Sequence, residues 1–411
     1  MKSIRQFIKG ISFSSYFKRV DPAVAALLSL ERVKTIPVVM TFRRPMDAHL
    51  ESKLKRAGFK VKYHLPFING ITGKIQAGSF DSVSSIVEIT KIYFDRTACL
   101  MGSSERNEKT LETGAAAPAL LSGRGVSVAF IDSGVYPHPD LVKPRNRLLA
   151  FKDYINGIEY PYDDSGHGTA CIGAAFGASV DGKFRGTAYD SGIICAKAFN
   201  SLGYGFSSDI LAAMQWILNL KESHNIHVAV LPFGSPPAAR GFDLLSLASE
   251  YLCKNGLFVS ACSGNLGPNE GSITSPGSCA SIFTTGALSI SGNASVIAGF
   301  SGRGPINGTA EKPDAVMPGV RVTTLNSDTG YVPGNKSLLN AKLQGQQYTE
   351  ITGTSVAASH TAAAAALLYQ KKPNISPEDA KSILKKLCTS VNELKTAQGA
   401  GIIDMKRIEE L

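Results

Sequence analysis

No apolar run in this 411-residue chain reaches the length of a membrane span, so a spanning helix is not expected. The first twenty residues, MKSIRQFIKGISFSSYFKRV, lack the continuous apolar core of a secretory signal. Ile4, Phe7, Ile8 and Ile11 fall at helical spacing with Lys2, Arg5 and Lys9 between them. That pattern reads as a short helix docked on the rest of the protein, in preference to a membrane-surface or transit-like segment. No CxxC pair is present. The seven cysteines are odd in number and scattered, which excludes a disulfide frame or a zinc site as the organising principle and points to reduced thiols. A cytoplasmic location is therefore expected, with export by another route left open.

The back of the chain has no net charge. Residues 1–110 carry 19 Lys/Arg against 9 Asp/Glu, and residues 111–411 carry 24 of each, so the formal +10 belongs wholly to the front. A nucleic-acid-binding protein usually places its basic face on the functional domain. Here the basic part reads as an accessory unit, and no nucleic-acid partner is expected.

What is present is alternation. Ile36–Phe42, Val61–Leu65, Gly73–Ala77 and Val87–Phe94 read as strands, and Pro45–Gly58 and Phe80–Ile86 as helices, with a turn at Asn69-Gly70. The order β-α-β-β-α-β fits a small ferredoxin-like α+β unit. Ala98 to Thr110 turns polar and small and reads as a linker at a domain boundary. Beyond it, strands expected at Val126–Ile131, Ser191–Ala196, Val228–Leu231, Leu257–Cys262 and Ser281–Gly286 interleave with helices at Gly168–Ala178, Ser208–Leu220 (with a serine cap) and Leu244–Asn255. This predicts an α/β fold with a doubly wound, mostly parallel sheet and helices on both faces, its chemistry at the carboxyl ends of the strands.

The stretch TGTSVAASHTAAAAALLYQKK, Thr352 to Lys372, predicts a helix buried all round, stopped at Pro373. Ser355 sits at its start, where backbone N–H groups and the helix dipole favour developing negative charge. The apolar strand ending at Ile131 delivers Asp132, followed by Ser133-Gly134. The polar loop Asp163-Asp164-Ser165-Gly166-His167-Gly168-Thr169 opens a helix with His167 at its start. Nucleophile, general base and an orienting carboxylate, each set in glycines at a predicted element end, form the pattern of a hydrolytic triad in the chain order Asp, His, Ser.

Over about residues 120–410 the sequence resembles the subtilisin-like serine proteases, peptidase family S8, and most of all their intracellular bacterial branch. The resemblance is carried by Asp132-Ser133-Gly134 with His138-Pro139-Asp140-Leu141, by His167-Gly168-Thr169, by Ser263-Gly264-Asn265 and by Gly353-Thr354-Ser355. Ser275-Pro276-Gly277, Phe300 to Pro305, Lys312-Pro313-Asp314 and Pro318-Gly319 add to it. It implies a serine endopeptidase with Asp132, His167 and Ser355 catalytic and Asn265 in the oxyanion hole. Polypeptide substrates would lie extended against Gly203-Tyr204-Gly205 and Pro232-Phe233-Gly234.

The resemblance also implies a self-processing precursor. Residues 1–30 would be an extension, 31–100 a propeptide that assists folding and inhibits, 101–115 a linker, and 116–411 the catalytic domain, with a cut between Ala98 and Ser104. No cofactor is required by this reading; a structural calcium is left open, Asp140 alone being no site. Cys171, one turn past His167, could confer sensitivity to thiol reagents. The chain departs from the family at Pro232-Phe233, where Ser-Leu is usual, at Ala170, and at Val356 and Ser359. Phe233 is expected to reshape the P1 and P4 pockets, the subsites for the first and fourth residues before the cut. These departures leave a catalytically weak regulatory or scaffold protein as the alternative.

Overall fold

The computed structural model describes residues 19–30, 32–105, 120–178, 184–236, 241–292, 294–305, 311–333 and 346–411. The helix expected near Ile4–Ile11 lies outside them.

The larger unit is built on a ten-stranded sheet. From one edge its strands run Cys388–Thr389, Ile402–Ile403, Ala315–Pro318, Phe283–Ser291, Phe258–Cys262, Ile226–Leu231, Ser127–Asp132, Gly192–Lys197 and Leu148–Asp153, with Ala294–Ile297 paired to Phe283–Ser291. Every pairing from Ile402–Ile403 to Leu148–Asp153 is parallel; the Cys388–Thr389 and Ala294–Ile297 pairings are antiparallel. The central strands are apolar on both faces because helices cover both. Val128 and Phe130 point into the core that holds His167–Phe176 and Thr354–Lys371. Ala129 and Ile131 point into the opposite core, with Ser207–Leu220 and Leu244–Lys254. The alanine block Ala362–Ala366 is fully buried, and its small side chains let the helix approach the sheet closely.

The front unit is a four-stranded antiparallel sheet ordered Phe59–Leu65, Gly70–Gln76, Thr35–Phe42, Ile89–Phe94, with helices Ala48–Arg56 and Phe80–Ser84. One sheet face buries Ile36, Val38, Met40, Ile71 and Ile75 under those helices. The other carries Val39, Leu65 and Tyr93 into the core beneath Ser207–Leu220. Asn69 takes the left-handed conformation expected of an Asn-Gly turn, and Gly70 already opens the next strand.

Polar contacts lock the two units together. Lys62 and the Tyr63 hydroxyl both reach Asp209, at 2.8 Å each, and Phe67 N–H donates to Gln215. The serine cap expected at the start of Ser207–Leu220 is replaced: Phe206 is the cap residue and offers no side-chain bond. Asp95 of the front unit instead accepts from Ser208 N–H at 2.8 Å, so a helix of the large unit is capped by the small one. Within the stretch read as a linker, Ser103–Glu105 forms a strand.

Candidate active site

Three distant segments converge at the carboxyl edge of the sheet. Asp132 ends its strand fully buried, and its Oδ1 accepts from His167 Nδ1 at 2.8 Å. That bond fixes the tautomer, so Nε2 is the accepting nitrogen, and Ser355 Oγ donates to it at 3.1 Å. Burial pulls the His167 pKa down; the Asp132 charge, with a smaller contribution from Cys171, outweighs it and holds the ring well above its ordinary value.

The loop before His167 is held by Asp163, the first residue of the polar run that opens this helix. Its carboxylate accepts from Ser133 Oγ, Gly166 N–H, Thr169 N–H and Thr169 Oγ1, all between 2.7 and 2.8 Å. Ser133 Oγ in turn accepts from Gly168 N–H at 3.0 Å, which ties the aspartate loop to the histidine helix. Gly168 is required here: a Cβ would stand 2.1 Å from the Gly134 carbonyl oxygen. Lys197, fully buried, donates to the carbonyls of Ser133 at 2.6 Å and Phe199 at 3.0 Å and pairs with Asp164.

Gly353 is the cap of the nucleophile helix and Ser355 its second residue, so the Ser355 N–H has no partner within the helix and points into the cleft. It donates to the Met101 carbonyl oxygen at 3.2 Å. Asn265 Oδ1 accepts from Thr354 N–H at 3.1 Å and Thr354 Oγ1 at 2.7 Å, which turns its NH₂ group to the other side of the amide.

The cleft is filled by the chain itself. Thr97–Leu100 forms the middle strand of a three-stranded antiparallel sheet between Tyr204–Phe206 and Phe233–Gly234. Leu100 N–H donates to Gly203 at 3.0 Å and Met101 N–H to the Pro232 carbonyl at 3.3 Å. The six residues read as substrate edges, Gly203 to Gly205 and Pro232 to Gly234, thus line this segment. The proline removes a donor at that position, and its carbonyl still accepts.

Past Gly102 the chain continues as Ser103–Glu105, antiparallel to Tyr348–Thr352. Sequence reasoning missed that third edge because nothing local in Tyr348–Thr352 marks it as an open one. A Cβ on Gly102 would stand 2.7 Å from Ser355 Oγ and 3.1 Å from His167 Nε2, so the Met101–Gly102 peptide lies directly at the hydroxyl. Phe233 is fully buried and packs 5.0 Å from Phe199 in the cluster that contains Ala98, so it shapes the region upstream of Met101.

Cys171 lies 3.7 Å from both ring nitrogens of His167, and burial raises its thiol pKa. Asp132, His167 and Cys171 offer ligand atoms within 4.8 Å of one another, the one such group among the described residues. Asp140, the residue considered for calcium, is engaged otherwise. Tyr348 OH donates to its carboxylate at 3.1 Å, and buried Arg147 donates to the Asp140 backbone carbonyl. That guanidinium also reaches the carbonyls of Phe176 and Ser191. A resident guanidinium thus occupies the space among these three carbonyl oxygens.

Among known proteins, the model of the Subtilase family matches residues 123–401. Serine protease AprX of Bacillus subtilis (strain 168) is 31% identical over 376 residues, covering 87% of this chain and 83% of that protein. Subtilisin Savinase of Lederbergia lenta is 30% identical over 285 residues, covering 69% of this chain and 90% of that protein. The crystal structure of fervidolysin from Fervidobacterium pennivorans, a keratinolytic enzyme related to subtilisin, superposes with a TM-score of 0.72 at 18% identity. It covers 98% of this chain, which spans 64% of that one. At that identity the likeness speaks for the fold.

Proposed function

We propose, for a chain that belongs to the subtilase family and is a subtilisin-type serine endopeptidase, that Asp132, His167 and Ser355 carry out the hydrolysis. We propose further that the chain is an uncut precursor whose first substrate is its own Met101–Gly102 bond. The observation that carries this is the placement of that one peptide, its carbonyl on the Ser355 N–H and its next Cα beside the Ser355 hydroxyl.

In this reading His167 Nε2 takes the Ser355 proton as Oγ attacks the Met101 carbonyl carbon. The oxyanion is held by the Ser355 N–H and by the Asn265 NH₂, which Thr354 orients from behind. His167 returns the proton to the Gly102 nitrogen, which leaves. Water, activated by the same imidazole, then releases the acyl group from Ser355. Asp132 holds the ring and offsets the charge of the imidazolium. Outside substrates are polypeptides, bound as Thr97–Leu100 is bound, by strand pairing.

The front unit then serves as folding partner and inhibitor. Its support is the cap on Ser207–Leu220, the Asp209 contacts and the strand that occupies the cleft. Seven free cysteines support a cytoplasmic location.

The test is the N-terminus of the purified protein beside that of Ser355→Ala. Wild type should acquire a new terminus at Gly102, and the variant should stay intact. A wild type that stays whole and does not react with a fluorophosphonate would refute the reading.

A further inference from the structure

The side chain of Met101 enters a pocket that ends on an unsatisfied hydroxyl. Thr274 is 1% exposed, and its Oγ1 is buried with no hydrogen-bond partner among the described residues. A Cβ on Gly234 would stand 2.4 Å from that Oγ1 and 2.5 Å from Met101 Cε, so the hydroxyl and the tip of the methionine crowd the same spot. A Cβ on Gly264 would lie 2.5 Å from Oγ1 and 2.7 Å from Cγ2, so Thr274 lies wedged beneath both glycines as the end wall of the pocket. Its position is pinned through the backbone: its N–H donates to Ser263 and its carbonyl accepts from Ser278 N–H, at 3.0 and 3.1 Å. A buried hydroxyl held in place without a partner disfavours any occupant that cannot bond to it.

We propose that Thr274 determines what this endopeptidase accepts before the scissile bond. The residue favoured there is unbranched and carries a hydrogen-bonding group where the methionine has its terminal methyl, and glutamine is the natural side chain of that shape. Glutamine has the length of methionine, and its amide oxygen or nitrogen falls where Cε does, beside the same Gly234 position that Oγ1 borders. Aromatic side chains meet the threonine wall. This inference rests on the reading of Met101–Gly102 as a substrate. The chain's own methionine fills the pocket without satisfying it, so glutamine is the better occupant of that one pocket.

The test uses peptides with the sequence Thr97–Ser104 in which residue 101 is Met, norleucine, Gln or Phe. The enzymes are processed wild type, Thr274→Val and Thr274→Gly, each normalised by fluorophosphonate titration of Ser355. Wild type should cleave the Gln peptide with kcat/KM about tenfold or more above norleucine, the discrimination expected when a buried hydroxyl is left unpaired. Thr274→Val, equal in shape, should bring that ratio to about one. Thr274→Gly should raise cleavage of the Phe peptide about tenfold by opening the wall. Glutamine no better than norleucine for wild type, or a ratio unmoved by valine, overturns the proposal while leaving the protease reading intact. No cleavage of any peptide, with Ser355 inert to the phosphonate, overturns both.

Discussion

Alanine at Gly353 should switch off processing while sparing the fold, and the size of the effect follows from position. Gly353 has φ 161° and ψ 160°, extended backbone that alanine adopts without left-handed strain. The three atoms nearest a Cβ there all belong to the segment in the cleft. They are the Met101 carbonyl oxygen at 2.2 Å, Gly102 Cα at 2.6 Å and the Met101 carbonyl carbon at 3.1 Å. A carbon and an oxygen tolerate about 3.3 Å, so the peptide must retreat by roughly 1 Å, out of reach of the Ser355 N–H. A displacement of that size costs about 10²-fold in rate. The assay is a time course of the purified chain on a gel, with thermal unfolding and circular dichroism alongside. The expected result is a folded, uncut protein whose conversion is about a hundred times slower than wild type. Conversion at the wild-type rate with a terminus at Gly102 would refute the placement of this peptide.

Two further outcomes are expected. His167 must be neutral to accept a proton, and its raised pKa means the neutral form is lost as pH falls through a value above the ordinary 6.5. The acid limb of kcat/KM should therefore lie above pH 6.5. Asp132→Asn should move it downward and lower kcat/KM by about 10⁴-fold, the fall known for the equivalent change in a serine protease; a limb that stays put would contradict the account of the shift. Methylmercury on Cys171 would place a soft metal on a sulfur that lies 3.7 Å from both imidazole nitrogens. The processed enzyme should be inhibited and Cys171→Ala should resist; equal inhibition of both would place the reagent elsewhere.

Much of this was legible in the sequence where the cause is local. A β-carbonless residue before and after a functional group marks a tight approach, and Gly168 against the Gly134 carbonyl is the reason the histidine box contains it. The alanine run announced a helix buried on all sides because it presents no polar face to water. The ferredoxin-like order of the front unit came from alternating apolar positions.

What was not legible depends on pairing across the chain. Thr97–Leu100 and Ser103–Glu105 look like a polar linker because their hydrogen-bond partners lie over a hundred residues away. The cap on Ser207–Leu220 was assigned to a serine inside the helix because Asp95, which supplies it, belongs to another unit. Thr274 has no local signature at all; its meaning comes from two glycines that stand over it and a methionine that arrives from the front of the chain.

The occupant of this cleft is covalently joined to the enzyme that holds it, upstream through the front unit and downstream through the chain that leads back to the large one. Dilution cannot empty such a cleft, because the local concentration of a tethered ligand is set by its tether rather than by the solution. On the proposed cut at Met101–Gly102, the first turnover of each molecule would be a unimolecular event, with a half-life that does not change on dilution.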